Sequence, residues 1–141
     1  MEGLGAAATV SAVVELSVKV ASLCLDYAVA VQDAKTDIIR LQTKLKELEE
    51  VAKDVHQLID GPRGGGKLST SQKLKQAALG CHTQIKAIEK RLDPGRGRKA
   101  MSRFGLRALK WPFESKEVDK IISDLENCNA AIGLALQVDQ T

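Results

Sequence analysis

The feature that most constrains the fold of this chain is a repeat of apolar residues, alternately three and four positions apart, in three separate segments. It occurs at Ile38, Leu41, Leu45, Leu48, Ala52, Val55 and Ile59, at Leu74, Ala78, Cys81, Ile85, Ile88 and Leu92, and at Val118, Ile121, Leu125, Cys128, Ile132 and Ala135. Because an α-helix has about 3.6 residues per turn, this spacing puts one narrow apolar seam along each helix. The repeat therefore predicts three amphipathic helices that pack against one another.

The segment from residue 6 to residue 31 is different, because it is apolar around nearly its whole circumference. Its charged residues Glu15, Lys19 and Asp26 fall on one strip. A helix of this kind is either buried in a bundle or a latent membrane segment. We expect the other three helices to pack around it, so that it is the most buried helix. The predicted fold is a single all-α domain over residues 1–141, an antiparallel bundle of about four helices with a short extra helix before the last one.

The composition agrees with a helical bundle. The chain is 44% hydrophobic and 28% charged, which is typical of globular rather than disordered proteins. Only 3% of its residues are aromatic, so the core must consist of Leu, Ile, Val and Ala. Runs of β-branched and aromatic residues, which strands would require, do not occur. Pro62, Pro94 and Pro112 separate the periodic segments, since proline disfavours a helix at the residue before it.

The titratable and nucleophilic residues form no catalytic or metal-binding pattern. Cys24, Cys81 and Cys128 are odd in number and far apart in the sequence, and we interpret them as small core residues in a reducing compartment. His56 and His82 have no partner at the spacing of metal ligands. The seams bring together no Ser/His/Asp or Cys/His arrangement. We therefore expect no enzymatic activity, no cofactor and no metal site.

Charge is distributed unevenly along the chain. Residues 1–60 carry 6 Lys/Arg against 10 Asp/Glu, residues 61–113 carry 13 against 2, and residues 114–141 carry 2 against 6. The three parts therefore have net charges of −4, +11 and −4, in agreement with the overall charge of +3. A basic middle between acidic flanks indicates an anionic partner.

The basic middle ends in a segment that combines cations with aromatic residues. Between Pro94 and Phe113 no residue is acidic. The cations are Arg96, Arg98, Lys99, Arg103, Arg107 and Lys110, and Phe104, Leu106, Leu109, Trp111 and Phe113 are interleaved with them. On a short amphipathic helix this pattern suits an anionic lipid surface, so we assign lipid contact to the six cations and Trp111. The alternative is a solvated loop whose apolar residues close one end of the bundle. Nucleic acid is not an expected partner, because the segment lacks a recognition helix or an RNA-binding motif.

A permanent membrane span at the N-terminus is disfavoured by two charges near its middle. Nine Leu and Val residues lie between Leu4 and Leu25, and each favours insertion by about 0.3 to 0.6 kcal/mol. Glu15 and Lys19 oppose insertion by about 2.5 to 3.5 kcal/mol each when they are unpaired. A lone helix should therefore stay in the bundle, whereas an oligomer that pairs these charges could insert. A secretory signal is also disfavoured, because no basic region precedes the apolar stretch.

Four sequence features occur in a particular order along the chain. They are the Ala/Val/Leu-rich opening over residues 5–16, Val31-Gln32-Asp33-Ala34-Lys35 before the long seamed helix, Trp111-Pro112-Phe113 before Glu117-Val118, and the closing Leu134-Ala135-Leu136-Gln137. In this order they resemble the N-terminal HeLo-like domain of fungal STAND receptors and related heterokaryon-incompatibility proteins. The resemblance covers essentially the whole chain, and its most specific part is the Trp-Pro-Phe motif with the acidic helix that follows.

The resemblance implies a helical bundle at the N-terminus of a longer protein, ahead of a nucleotide-binding domain, repeats or an amyloid signalling motif. Domains of this group are similar to the four-helix bundle of the necroptosis pseudokinase, and they act in regulated cell death by oligomerising and permeabilising membranes. The implied partners are further copies of the domain, anionic membrane lipids and an upstream receptor or amyloid-type protein. The implied location is the cytoplasm, with the plasma membrane as a conditional site.

Carried over to this chain, the resemblance assigns membrane insertion to its N-terminal segment. The residues concerned are Leu4, Val10, Val13, Val14, Leu16, Val20 and Leu23. A second interpretation stays open, in which the domain is an adaptor or oligomerisation module that signals through protein contacts without membrane activity.

The sequence also predicts that the chain does not bind nucleotides. Gly61, Gly66 and Lys67 match most of a phosphate-binding loop, but Leu68 stands where Ser or Thr would bind magnesium, and the loop follows a helical seam instead of a strand. We expect no measurable binding of ATP or GTP in isothermal titration calorimetry. Micromolar, magnesium-dependent binding that disappears in the Lys67→Ala variant would contradict this prediction.

Overall fold

A computed structural model describes residues 5–31, 33–60, 72–92 and 110–140. These residues form four helices, α1 (Ala6–Ala30), α2 (Lys35–Asp60), α3 (Gln72–Leu92) and α4 (Ser115–Gln140), and no strand occurs within the described ranges. The prediction of an all-α bundle of about four helices is confirmed. The short extra helix expected before α4 lies mostly outside the described residues, and residues 110–114, at its expected end, are not helical.

The four helices form a four-cornered bundle in which α1 and α4 occupy opposite corners. α1 packs against α2 and α3, and α4 packs against the same two helices. The expectation that three helices surround α1 is therefore wrong, because α4 does not share an extensive interface with it. An apolar helix at a corner has a side that no other described helix covers.

Consecutive helices run in opposite directions, but the two remaining pairs of neighbours run parallel. Tyr27 at the end of α1 hydrogen-bonds to Leu92 at the end of α3, so α1 and α3 point the same way. Asp37 and Ser115, near the starts of α2 and α4, are also in contact. α2 and α3 are consecutive among the described helices but occupy opposite corners of the bundle.

The core consists almost entirely of the aliphatic seams that the sequence predicts. Every seam residue of α2 and of α3 is buried. In α4 the seam is shifted, because Ile122 is buried while Ile121 and Cys128 are half-buried against the core. The reason is that α4 faces two helices at its corner, so the flank with Ile121 lies towards the groove beside α3.

The inner face of α1 is buried as expected. Eleven of its 25 residues are buried, against seven of 21 in α3, and no other helix has as many buried residues among those described. Five of the residues assigned to membrane insertion, namely Val10, Val13, Leu16, Val20 and Leu23, belong to this core. Val14 is half-buried, and Leu4 lies outside the described residues.

The fold predicts a large difference between two leucines of α1 that are two residues apart. Leu23 is 1% exposed and Leu25 is 49% exposed. Leu23→Ala should lower the free energy of unfolding by about 2 to 5 kcal/mol, because it leaves a cavity in the core. Leu25→Ala should lower it by about 1 kcal/mol or less, since the side chain already contacts water. Urea unfolding followed by circular dichroism measures both values, and equal losses would contradict the corner position of α1.

Candidate functional site

The outward side of α1 carries a strip of apolar side chains that the described helices leave largely uncovered. Val18, Leu25 and Val29 are 46%, 49% and 68% exposed, and Val14 beside them is half-buried and packs against the core. Their spacing of four, seven and four residues keeps them on one face of the helix. We call these four residues the outer strip. Large apolar groups in a row on a surface are typical of sites that contact a membrane or another protein.

The flank of α1 that faces α3 carries one charged residue, Lys19, that is paired across the interface. Lys19 Nζ lies 2.7 Å from Glu89 Oε2, and Lys86 Nζ lies 2.7 Å from the other carboxylate oxygen of Glu89. Lys19 and Val18 are sequence neighbours, so they point about 100° apart around the helix. The outer strip therefore lies away from the α3 flank.

Glu89 is a buried charge that links α1 to α3. Its residue is only 5% exposed, whereas its two partners Lys19 and Lys86 are largely exposed at their side chains. Hydrogen bonds and charge attraction from Lys19, and then from Lys86, hold the pKa of Glu89 below its ordinary value, against the opposing effect of burial. A buried carboxylate with a missing partner is costly, so Glu89 favours the position of α1 in which Lys19 reaches it.

A second contact fixes the C-terminal end of α1. The hydroxyl of Tyr27 donates a hydrogen bond of 2.8 Å to the carbonyl oxygen of Leu92, the last residue of α3. Carbonyls in the last turn of a helix lack an intrahelical donor, so Tyr27 satisfies one of them. The contact ties the ends of α1 and α3 together.

An aromatic cluster lies against this end of the bundle. The ring of Trp111 meets Tyr27 edge-on at 5.5 Å between centroids and Phe113 at 5.2 Å. The guanidinium of Arg91 lies 4.5 Å from the centre of the Phe113 ring. Edge-on aromatic pairs and a cation over a ring face are both favourable arrangements. Trp111 therefore packs against α1 in this structure, and its assigned contact with lipid stays a prediction.

Trp111 also has a polar group without a described partner. Its Nε1–H is buried, and no described residue accepts a hydrogen bond from it. Lys110, next to it in the chain, is exposed. The other cations assigned to lipid contact, Arg96, Arg98, Lys99, Arg103 and Arg107, lie outside the described residues.

Arg91 connects the aromatic cluster to the start of α4. It donates hydrogen bonds of 2.9 Å to Glu117 Oε2 and 2.5 Å to the carbonyl oxygen of Pro112. Glu117 also accepts a hydrogen bond of 3.2 Å from the backbone N–H of Glu114, just before the helix. The Arg91 hydrogen bond, followed by that from Glu114, lowers the pKa of Glu117. A glutamate at the third helical position that bonds back in this way is half of a capping box.

The starts of α2 and α4 are held together by exposed polar contacts. The hydroxyl of Ser115 donates a hydrogen bond of 2.6 Å to Asp37 Oδ2. Arg40 donates to Asp119 Oδ1 over 2.7 Å and to Asp37 Oδ1 over 3.2 Å. Exposed pairs of this kind add little stability, but they fix which residues of α2 and α4 lie side by side. These contacts involve no residue of α1.

Among the described residues, no group of His, Cys, Asp and Glu is arranged to hold a metal ion. One described helix, α1, has the length and composition needed to cross a membrane. Core helices of soluble proteins and signal sequences have the same properties, and half of the most apolar part of α1 is buried. The outer strip and the polar contacts of α1 are therefore the features on which a functional interpretation rests.

No protein-family model, curated protein or solved structure matches this chain. The resemblance to HeLo-like domains rests on the sequence features quoted above.

The pairing of Glu89 predicts a pH-dependent loss of stability in the Glu89→Gln variant. Near pH 7 the free energy of unfolding should fall by about 1.5 to 3 kcal/mol, the range for hydrogen bonds to charged groups. Because the pKa of Glu89 is lowered in the folded state, its stabilisation is complete above the unfolded value and is lost as the pH falls through the folded value. The difference from wild type should therefore shrink below about pH 4.5, the ordinary value.

Urea unfolding at several pH values measures this difference. Glu126→Gln is the matched control, because its side chain is 59% exposed and lies 3.9 Å from Lys44, so little stability should be lost. A difference between Glu89→Gln and wild type that is absent at pH 7, or that grows on acidification, would contradict the assignment.

Proposed function

We propose that this chain is a membrane-targeting, oligomerising domain that acts as a cell-death effector or signalling domain in a fungal innate-immunity-type protein. The observation that carries the proposal is the outer strip, an exposed apolar face on a helix long enough to span a bilayer. The resemblance to HeLo-like domains supplies the biological setting, and the physical argument below stands apart from it.

The first step of the proposed mechanism is attraction to an anionic membrane. Residues 61–113 carry a net charge of +11, and residues 94–113 contain no acidic residue. Each Lys or Arg close to an anionic leaflet contributes about 1 kcal/mol, and this attraction weakens as salt is added. Six cations in one short segment therefore suffice for reversible binding. Lys110 and Trp111 link that segment to the C-terminal end of α1.

The second step is contact between the outer strip and the lipid. Val18, Leu25 and Val29 can reach apolar surroundings without any change in the core, because they are already exposed. Full insertion of α1 is a larger change, since it removes the inner face from α2 and α3 and leaves Glu89 with Lys86 as its remaining described partner. Both costs keep α1 in the bundle of a single copy. Assembly of several copies would supply the compensating contacts, which is why the proposal includes oligomerisation.

The alternative function is an adaptor that uses the outer strip to bind a protein. The same exposed residues favour this alternative, because an apolar strip on a helix also suits the apolar face of a partner helix. The two functions differ in how they depend on anionic lipid and on the basic segment. Experiments with vesicles therefore distinguish them.

Charge reversal in the basic segment tests the first step. The variant with Arg98, Lys99, Arg103 and Arg107 replaced by Glu should bind anionic vesicles orders of magnitude more weakly than wild type, because several kcal/mol of attraction become repulsion. Co-sedimentation with vesicles at low and high salt measures the affinity. If wild type ignores anionic vesicles at low salt even when it is oligomeric, the adaptor function replaces the membrane function.

Aspartate substitutions in α1 test the second step. Val18→Asp with Leu25→Asp should abolish leakage of dye from anionic vesicles and leave helicity unchanged, because both side chains are exposed. Leu79→Asp with Leu134→Asp is the matched control, since these residues are 47% and 63% exposed on other helices. Leakage by the control pair should equal that of wild type. Equal leakage by both double variants would contradict a role for the outer strip.

A further inference from the structure

α3 and α4 lie side by side in opposite directions, and one contact shows how their residues are paired. Arg91 in α3 donates a hydrogen bond of 2.9 Å to Glu117 in α4, so these two positions face each other. Cys81 lies ten residues before Arg91, and Cys128 lies eleven residues after Glu117. In antiparallel helices, residues that lie nearly the same number of positions from a facing pair are at the same level along the bundle axis. Cys81 and Cys128 are therefore at the same level.

The two thiols are hydrogen-bonded to each other but differ in access to solvent. Cys81 is fully buried, whereas Cys128 is half-buried and lines an open groove of about 370 Å³ between α3 and α4. A small solute in the groove can therefore reach Cys128 before it reaches Cys81.

The two thiols also differ in the direction of their pKa shifts. The hydrogen bond between them lowers the pKa of Cys128, although burial and the nearby Asp124 carboxylate oppose this effect. The same hydrogen bond, together with burial, raises the pKa of Cys81. Cys128 is the thiol that a solute in the groove can reach, so Cys128 is the attacking residue and Cys81 is the resolving residue of the pair.

We propose that Cys128 and Cys81 form a peroxide-sensitive thiol pair that closes to a disulfide between α3 and α4. The Cys128 thiolate attacks one oxygen of hydrogen peroxide, the O–O bond breaks, and the hydroxide that leaves takes up a proton to form water. The sulfur of Cys81 then attacks the sulfur of the resulting Cys128 sulfenic acid, and the S–O bond breaks. The hydroxide leaves with the proton of Cys81 as a second water. The two thiols lose two electrons, and the peroxide gains them.

The surroundings of the pair leave room for this reaction. A disulfide needs its sulfur atoms about 2.05 Å apart, closer than a hydrogen bond allows, so the helices must approach slightly. The groove is lined by the small residues Ala77, Gly80 and Ala131, and a methyl group added at Gly80 would meet no atom within 4 Å. The bond would join α3 to α4 and leave α1, which packs on α2 and α3, untied.

Cys24 provides an internal control for this assignment. It is fully buried in α1, and burial raises its pKa to about 12. A thiol of this kind is inert at neutral pH. Oxidation should therefore link Cys81 to Cys128 and leave Cys24 as a free thiol.

The test treats the folded chain of 141 residues with hydrogen peroxide and analyses it by intact-mass spectrometry and peptide mapping. Wild type and Cys24→Ser should lose two hydrogen masses and yield one linked peptide pair that contains Cys81 and Cys128. Dithiothreitol should reverse the change. Cys128→Ser should form no disulfide, and Cys81→Ala should accumulate a sulfenic acid at Cys128 that dimedone traps. Oxidised wild type should also melt at a higher temperature than reduced wild type, because the cross-link restricts the unfolded chain.

Three outcomes would overturn the proposal. They are a disulfide that includes Cys24, trapping of a sulfenic acid at Cys81 instead of Cys128, and wild type that stays unmodified while circular dichroism shows it folded. The wild-type measurement decides the question even if a variant at the fully buried Cys81 does not fold.

Discussion

The packing of α1 against α2 and α3 is the contact on which the rest of this bundle depends. α1 contributes more buried residues than any other helix, and most of them are aliphatic. Since α4 approaches α2 and α3 from the opposite corner, α1 is the only described helix that covers the other side of their seams. Burial of these apolar side chains supplies most of the stabilising free energy in such a core. Glu89 and Tyr27 fix the position of α1 relative to α3, because each contacts a specific atom across the interface between these two helices.

The corner position of α1 also explains why one helix has both a structural and a candidate functional role. Its inner face is needed for folding, so that face is fully used by the core. Its outer strip is free of such a requirement, yet it remains apolar at Val18, Leu25 and Val29. Charged residues dominate the outer faces of α2 and α3, whereas on α1 the exposed Glu15 and Lys19 lie beside the outer strip and not within it. The two faces can therefore be altered independently.

The sequence predicted the seams of α2 and α3 completely, because each of these helices has one narrow apolar stripe and little choice of orientation. The prediction of the α4 seam was less accurate, because Ile122 is buried in place of Ile121. Helical spacing indicates which side of α4 is apolar, but it does not indicate which residues on that side face α2 and which face α3. The sequence left two environments open for Trp111, because a tryptophan among cations has the same sequence pattern whether its ring meets lipid or closes one end of the bundle. The contact of Cys81 with Cys128 depends on the pairing of α3 with α4, which Arg91 and Glu117 reveal only in the folded chain.

The arrangement of the helices has a consequence for the order in which the chain folds. α1 and α2 share the most extensive interface among the described helices and are only four residues apart in the chain, 31–34. Closing such a short loop loses little chain entropy, so this hairpin can form within the first collapse of the chain. The contacts of α4 with α2, such as that between Ser115 and Asp37, close a far longer loop and must form later. α2 therefore covers part of the apolar surface of α1 before α4 has docked, which limits aggregation during folding.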